Sequence, residues 1–299
     1  MSIDSINKIP NIKNNIDLSR YTTWKIGGEA KYFWEPDLDL LPEIISFCNN
    51  NNIKIYFLGR GSNVLIDDKG LNGLVICTKR VLQNLSKEND LVIAEAGVPM
   101  PTLSKFVAKE GFGGYEFLIG IPGTIGAGVA INAGLLAKDI KEIKDLIMDV
   151  EIINEKGEVK LLNKNQIEFD HRNSSILNNK WFVTKAWFKL ENQATKDEII
   201  QTTLNHLNDR KNKQPLTKAT AGSTFKNPKG EKSAGWYIEN SGLKGFQYGG
   251  AQISLKHANW IENVNNASSN DVMYIINHII DTVNQKFDII LEPEITYFK

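Results

Sequence analysis

Ser223 lies in AGSTFKNP (221–228), between a glycine and a threonine and followed by Phe225, Lys226 and an Asn-Pro pair. A serine attacks an acyl or phosphoryl group only when a neighbouring base takes its proton, and this stretch contains no histidine or carboxylate. Ser223 is therefore a loop residue, a nucleophile whose partner lies elsewhere, or a hydroxyl that gives up its proton. HRNSSI (171–176) sets Arg172 among small polar groups behind the strand-like QIEF, and spacing alone reads it as a surface arginine. LEPE (291–294) places Glu292 and Glu294 around Pro293 in the apolar setting DIILEPEITYF. On an extended segment that spacing puts both carboxylates on one face. The segment is then either a solvated edge strand or a means of aiming Glu294 into a cleft.

Two glycine-rich stretches could hold an anion. LGRGSNVLI (58–66) packs Gly59 and Gly61 around Arg60, with Ser62, Asn63 and Val64 following. Glycines let successive N–H groups point into one concavity, although a plain turn between strands has the same spelling. GIPGTIGAGVAINAG (120–134) is more specific, with five glycines, Pro122 and no charge. Its Ile121, Ile125, Val129 and Ile131 want burial, so a flexible loop fits poorly. Two such nests suggest a pyrophosphate-containing cofactor clasped from two sides.

These residues must be positioned by a chain of 299 residues, enough for about two domains. Lys+Arg and Asp+Glu both number 35, which argues against a nucleic-acid or anionic-lipid partner. Cys48 and Cys77 read as buried free thiols, and the four histidines show no metal-ligand clustering, so no metal is expected. The N-terminus lacks a signal-peptide pattern and no run reaches the ~18 apolar residues of a membrane span. A cytoplasmic, soluble protein is expected.

Along the chain, residues 1–20 read as an arm and Leu41, Ile44, Ile45 and Cys48 as one helical face. IKIYFLG, LNGLVI and LVIAEAG read as strands, and Pro101 opens a helix ending near Gly111. IMDVEIIN and EVKLLN flank a turn at 155–157 as a hairpin, WFVTKAWFKLE is a strand, and 195–213 is a helix. The stripe Val272, Ile275, Ile276, Ile279, Ile280 and Val283 makes 269–287 a core-facing helix capped by Ser269 or Asn270. This order is α+β, and GRGSN leads into extended chain rather than a helix, which disfavours a Rossmann fold.

In combination, GRGSN, IPGTIG, RNSS, AGSTFKNP and LEPE resemble the UDP-N-acetylenolpyruvoylglucosamine reductase family. YTTWKIGGEAKYF (21–33) and GLKGFQYGGAQISLKHANWI (242–261) extend the resemblance over nearly the whole chain, in its shorter, type II-like branch. The resemblance implies a two-subdomain FAD-binding domain of the vanillyl-alcohol-oxidase (PCMH) type, residues 21–192, with subdomains about 21–80 and 81–192. A C-terminal α+β substrate domain would occupy 193–299. It implies non-covalent FAD held by Gly59, Arg60, Gly61, Ser62, Asn63, Val64, Gly120, Ile121, Pro122, Gly123, Thr124 and Gly126, with NADPH as hydride-donating cosubstrate. The implied reaction reduces UDP-N-acetylglucosamine enolpyruvate to UDP-N-acetylmuramate for peptidoglycan, with hydride passing from flavin N5 to the vinyl carbon.

By the same resemblance Arg172 stabilises charge, Ser223 donates the proton, Glu294 assists, and Asn227 and Lys226 contact substrate. A monomer or weak dimer is expected. His171 stands where the family usually has tyrosine, and Ala127-Gly128 reverses a common order. Other readings are another FAD-dependent oxidoreductase of this cofactor fold and a non-catalytic nucleotide-binding regulator.

Overall fold

In the computed structural model, residues 3–135, 141–191, 194–230 and 232–299 are described. They fall into two compact units. The first comprises 1–13, 32–60 and 73–209, and the second 14–31, 61–72 and 210–299. The chain thus passes from one unit to the other five times. The boundary expected at 192/193 falls on residues outside the described set.

The first unit is built on a five-stranded antiparallel sheet. Its order is Val159–Asn163, Ile147–Ile153, Phe182–Lys189, Leu91–Glu95 and Leu85–Glu88. The expected hairpin is there, with Ile153 opposite Val159. Its turn closes because Asn154 Oδ1 accepts from Lys156 and Glu158 N–H, while Gly157 takes φ +80°. A bulkier residue would be strained there: a Cβ at Gly157 would also lie 2.2 Å from Pro42 O. The outer strand Leu85–Glu88 is mostly exposed and polar, so it shows no period-2 apolar signal in the sequence.

One face of this sheet buries Val150, Ile152, Ala186 and Phe188 against Leu103 and Val107 of helix Met100–Lys109 and Ile125 and Val129 of helix Ile125–Ala130. A second core gathers Leu41, Ile44, Ile45 and Cys48 of helix Leu41–Asn50 with Leu74 and Ile76. Ile6, in the segment expected as an arm, is fully buried in that core. Strand Ile55–Leu58 pairs in parallel with Leu71–Cys77, Leu58 opposite Cys77.

The second unit packs helices Ala234–Asn240 and Ser269–Phe287 on a three-stranded sheet ordered Gln247–Tyr248, Ala251–Ile253, Ile261–Asn263. The predicted stripe of helix Ser269–Phe287 faces this core. Its cap is Ser268 rather than Ser269 or Asn270: Ser268 Oγ accepts from Asp271 N–H at 3.0 Å, and Ser268 N–H donates to Asp271 Oδ2 at 3.0 Å. Ser269 instead donates from N–H and Oγ–H to Asp68 Oδ2. In YTTWKIGG, Trp24 is buried and donates to Ile261 O at 2.8 Å.

Candidate active site

The first glycine stretch is shaped by close backbone approach. Gly61 takes φ +63°, and a Cβ there would sit 2.3 Å from Tyr21 O. Its carbonyl accepts from Thr23 N–H at 3.0 Å and Thr23 Oγ–H at 3.2 Å, so TTWKIGG holds this loop. Asn63 donates from Nδ2 to Glu294 O at 3.2 Å, and its carbonyl accepts from Thr296 N–H. Val64 then pairs in parallel with Thr296. A residue expected at the cofactor therefore also ties down the segment carrying Glu294.

The second stretch is more ordered than the turn its glycines suggest. Glu116–Gly120 is a 3-10 turn, and Ile125–Ala130 is a short helix containing Gly126 and Gly128. Gly126 N–H donates to Ala96 O at 2.9 Å, and a Cβ on it would lie 2.9 Å from Ala96 Cβ. Helix–strand packing thus accounts for this glycine, and its amide already has a protein acceptor. Thr124 differs. Its Oγ1 is buried without a hydrogen-bond partner among the described residues, and a Cβ at Gly59 would fall 2.5 Å from it. A buried hydroxyl without a partner costs free energy unless a ligand satisfies it. The contact of Gly59 with Thr124 therefore fits close binding of a phosphate-bearing cofactor such as FAD.

Arg172 sits at the turn between Phe169–Asp170 and Asn173–Ser174, in the left-handed region at φ +55°. It is half-buried rather than a plain surface residue, and its Nη2 donates to Gly134 O at 2.8 Å. Gly134 pairs with Glu142. Buried Asn132 braces the same place, donating from Nδ2 to Asp170 O and Glu142 Oε2, both at 3.0 Å. Lys144 Nζ lies 2.7 Å from Glu142 Oε2, and His171 Nδ1 lies 3.7 Å from Oε1. Burial pushes the Glu142 carboxyl up, but bonds from Lys144 and Asn132 and the nearby charges outweigh it and hold it below its usual range. His171 thus faces a carboxylate beside the Arg172 turn. Asn132 and Glu142 escaped sequence reasoning because only the fold brings them to Asp170 and Gly134.

Ser223, Lys226, Asn227 and Glu294 all belong to the second unit, Arg172 to the first. Residues 223–226 run between two other segments. Ser223 bridges Trp260, and Thr224 N–H donates to Asn259 O at 2.8 Å. On the other side Phe225 bridges Pro293, flanked by Lys226 N–H to Glu292 O and Glu294 N–H to Thr224 O. Buried Asn259 clamps Phe225 with both ends of its amide, at 2.9 Å each. The backbone therefore holds Ser223 and Glu294 in fixed register. Among the described residues, none hydrogen-bonds the Ser223 hydroxyl, so no base activates it there.

The two acidic residues of LEPE part company: Glu292 is exposed with Lys226 Nζ at 3.7 Å from its Oε2, and Glu294 is half-buried. Asn227 Oδ1 accepts from Ala234 N–H at 3.0 Å, helping to start helix Ala234–Asn240. Asn259 stood in the quoted motif KHANWI, but nothing local disclosed its clamp.

The fold and these loops define an FAD-dependent oxidoreductase of α+β architecture, and residues 37–163 match an FAD-binding domain family. Residues 214–298 match the C-terminal domain family of UDP-N-acetylenolpyruvoylglucosamine reductase. Proteins of that name from a Synechococcus species and from Listeria innocua are 36% and 38% identical to this chain. Each alignment covers 95% of this chain, and 93% and 94% of the respective relative. The crystal structure of UDP-N-acetylenolpyruvylglucosamine reductase from Thermus caldophilus superposes with a TM-score of 0.79 at 31% identity, covering 95% of this chain and 98% of that one. The chain belongs to the UDP-N-acetylenolpyruvoylglucosamine reductase family.

Proposed function

We infer that this chain reduces UDP-N-acetylglucosamine enolpyruvate to UDP-N-acetylmuramate, with NADPH as the electron source, in peptidoglycan precursor synthesis. FAD, when bound, would supply the two-electron chemistry that links NADPH to the vinyl carbon. Hydride addition there leaves negative charge α to the substrate carboxylate. Arg172 stabilises that charge as a preorganised cation, its guanidinium braced by Gly134 O. Ser223 then donates its hydroxyl proton to the α carbon, since a strongly basic carbanion beside a cation can take a proton from a weak acid. Glu294 positions the carboxylate region, and Lys226 and Asn227 hold substrate. Gly59–Val64 and Gly120–Thr124 hold FAD, with Gly126 shaping the second loop.

The observation carrying the Ser223 role is its setting: a backbone fixed in register with Glu294 and a hydroxyl to which no base is bonded among the described residues. The cytoplasm is the proposed compartment, and a monomer or weak dimer the proposed assembly. Among the described residues no helix is long and apolar enough to cross a membrane.

Purification and anaerobic titration test the reading. A yellow protein should be bleached by NADPH and recoloured by UDP-N-acetylglucosamine enolpyruvate. A colourless chain that cannot be reconstituted with FAD would sink it, and fast reoxidation by oxygen without recolouring by the enolpyruvate would favour an oxidase.

A further inference from the structure

His171 and Arg172 form a two-residue turn, since Asp170 on one side pairs with Asn173 on the other. Arg172 takes φ +55° there. A non-glycine residue in the left-handed region is strained, and it keeps that conformation only where its surroundings impose it. His171 N–H donates to Asp170 Oδ1 at 2.7 Å, and Asn132 Nδ2 donates to Asp170 O at 3.0 Å. The imidazole faces Glu142, with Nδ1 3.7 Å from Oε1. The His171 side chain is 36% exposed and that of Glu142 only 7%, so the imidazole exchanges protons with solvent beside a buried carboxylate.

Glu142 is a rigid counter-ion. Its Oε2 takes bonds from Lys144 Nζ and Asn132 Nδ2. With Asp145 it forms a capping box, each side chain accepting from the other residue's N–H. Burial pushes its carboxyl up, but Lys144, Asn132 and the charge of His171 together hold it below its usual range. Its strand partner Gly134 offers the carbonyl that holds the Arg172 guanidinium. One strand pair therefore carries both the counter-ion of His171 and the acceptor of Arg172.

The charges around the imidazole are Glu142 and Asp170, with Asp145 behind Glu142, against Lys144 and Arg172. Glu142 also lines a cleft with Lys141, Asp145, Lys189 and Glu191, the last two paired at 2.9 Å. Of all these side chains, only an imidazole is of a type that changes charge between about pH 5 and 8. An imidazolium is drawn to the carboxylate, and a neutral ring is not.

We propose that His171 is a positioning residue for the reductase reaction: as imidazolium it pairs with Glu142, pins the strained His171–Arg172 turn and so fixes Arg172 where charge develops on the substrate. The proposal rests on the reductase reading above. It makes reduction of the enolpyruvate, and not flavin reduction, sensitive to this proton. The tyrosine usual here in the family stays neutral until about pH 10 and has no such charge to lose.

The test is stopped-flow reoxidation of the reduced, FAD-loaded chain by UDP-N-acetylglucosamine enolpyruvate, in wild type and His171→Gln, across about pH 6 to 8.5. The ratio of their limiting rates at saturating enolpyruvate should fall from about two- to fivefold at the acid end, as a half-exposed ion pair allows, to about one at the alkaline end. The ratio cancels the titration of groups common to both proteins. His171→Tyr should run parallel to His171→Gln. In a Glu142→Gln background the effect of His171→Gln should no longer depend on pH. Flavin reduction by NADPH should give a ratio constant with pH.

A ratio that is flat or rises with pH overturns the proposal, and so does equal pH dependence in both half-reactions. An effect confined to the apparent Kd of the enolpyruvate also overturns it, assigning the imidazolium to substrate binding. Wild-type reduced flavin that the enolpyruvate fails to reoxidise would instead overturn the reductase reading.

Discussion

At the scale of single residues, Ser223 shows how a side chain's role depends on what it is not bonded to. A nucleophilic serine needs a bonded base, whereas a proton donor needs a fixed position and a basic acceptor. Asn259 and the Thr224–Glu294 bond fix the position. Ser223→Ala should therefore keep flavin reduction by NADPH near the wild-type rate. Reduction of the enolpyruvate should fall by about 10²–10⁴-fold, the usual contribution of a positioned proton donor. Stopped-flow measurement of the two half-reactions separates them, and equal loss in both would reject the assignment. The motif AGSTFKNP was legible in sequence; that no base among the described residues bonds the Ser223 hydroxyl was not, because it depends on what the fold brings near.

At the scale of elements, the helix Ser269–Phe287 was legible from its apolar stripe, since a 3.6-residue period survives without knowledge of partners. Its start was not. Ser268, Ser269 and Asn270 are all good caps by type, and the choice fell to Ser268 once Asp68 engaged Ser269 through N–H and Oγ–H. Ser268→Ala should cost about 1 kcal/mol of unfolding free energy, measured by urea denaturation. Asn270→Ala should leave the midpoint nearly unmoved, and a reversed ranking would reject the cap. The strand Leu85–Glu88 lay beyond sequence reading, because an exposed outer strand has no buried face to print a period.

For the whole molecule, the two thiols report how closed the first unit is. Burial pushes Cys48 up to about 12 and Cys77 to about 11, whereas an unfolded thiol ionises near ~8.5. The unfolded chain therefore loses its thiol protons first as pH rises. Stability should decline from about pH 8.5 toward the folded-state values and be unaffected by these groups below that window. Cys48→Ala/Cys77→Ala should flatten this alkaline decline in denaturation curves recorded across pH. At pH 8 both thiols of the wild type should react with a disulfide reagent only as fast as the unit opens. Rapid labelling of the native protein would contradict this burial.

The amino-acid sequence by itself determined the α+β class, the helical faces and hairpin and the buried thiols, all of which follow from local periodicity and composition. The family followed from the resemblance carried by GRGSN, IPGTIG, RNSS, AGSTFKNP and LEPE together. Tertiary structure decided which backbone groups meet: Leu58 opposite Cys77, Gly59 against Thr124, Asn63 on Glu294, Ser223 beside Trp260. It also built each compact unit from three separate segments of the chain. Such pairings join residues up to some 230 positions apart. They are set by packing and by the requirement that buried polar groups find partners, and neither leaves a local pattern to read.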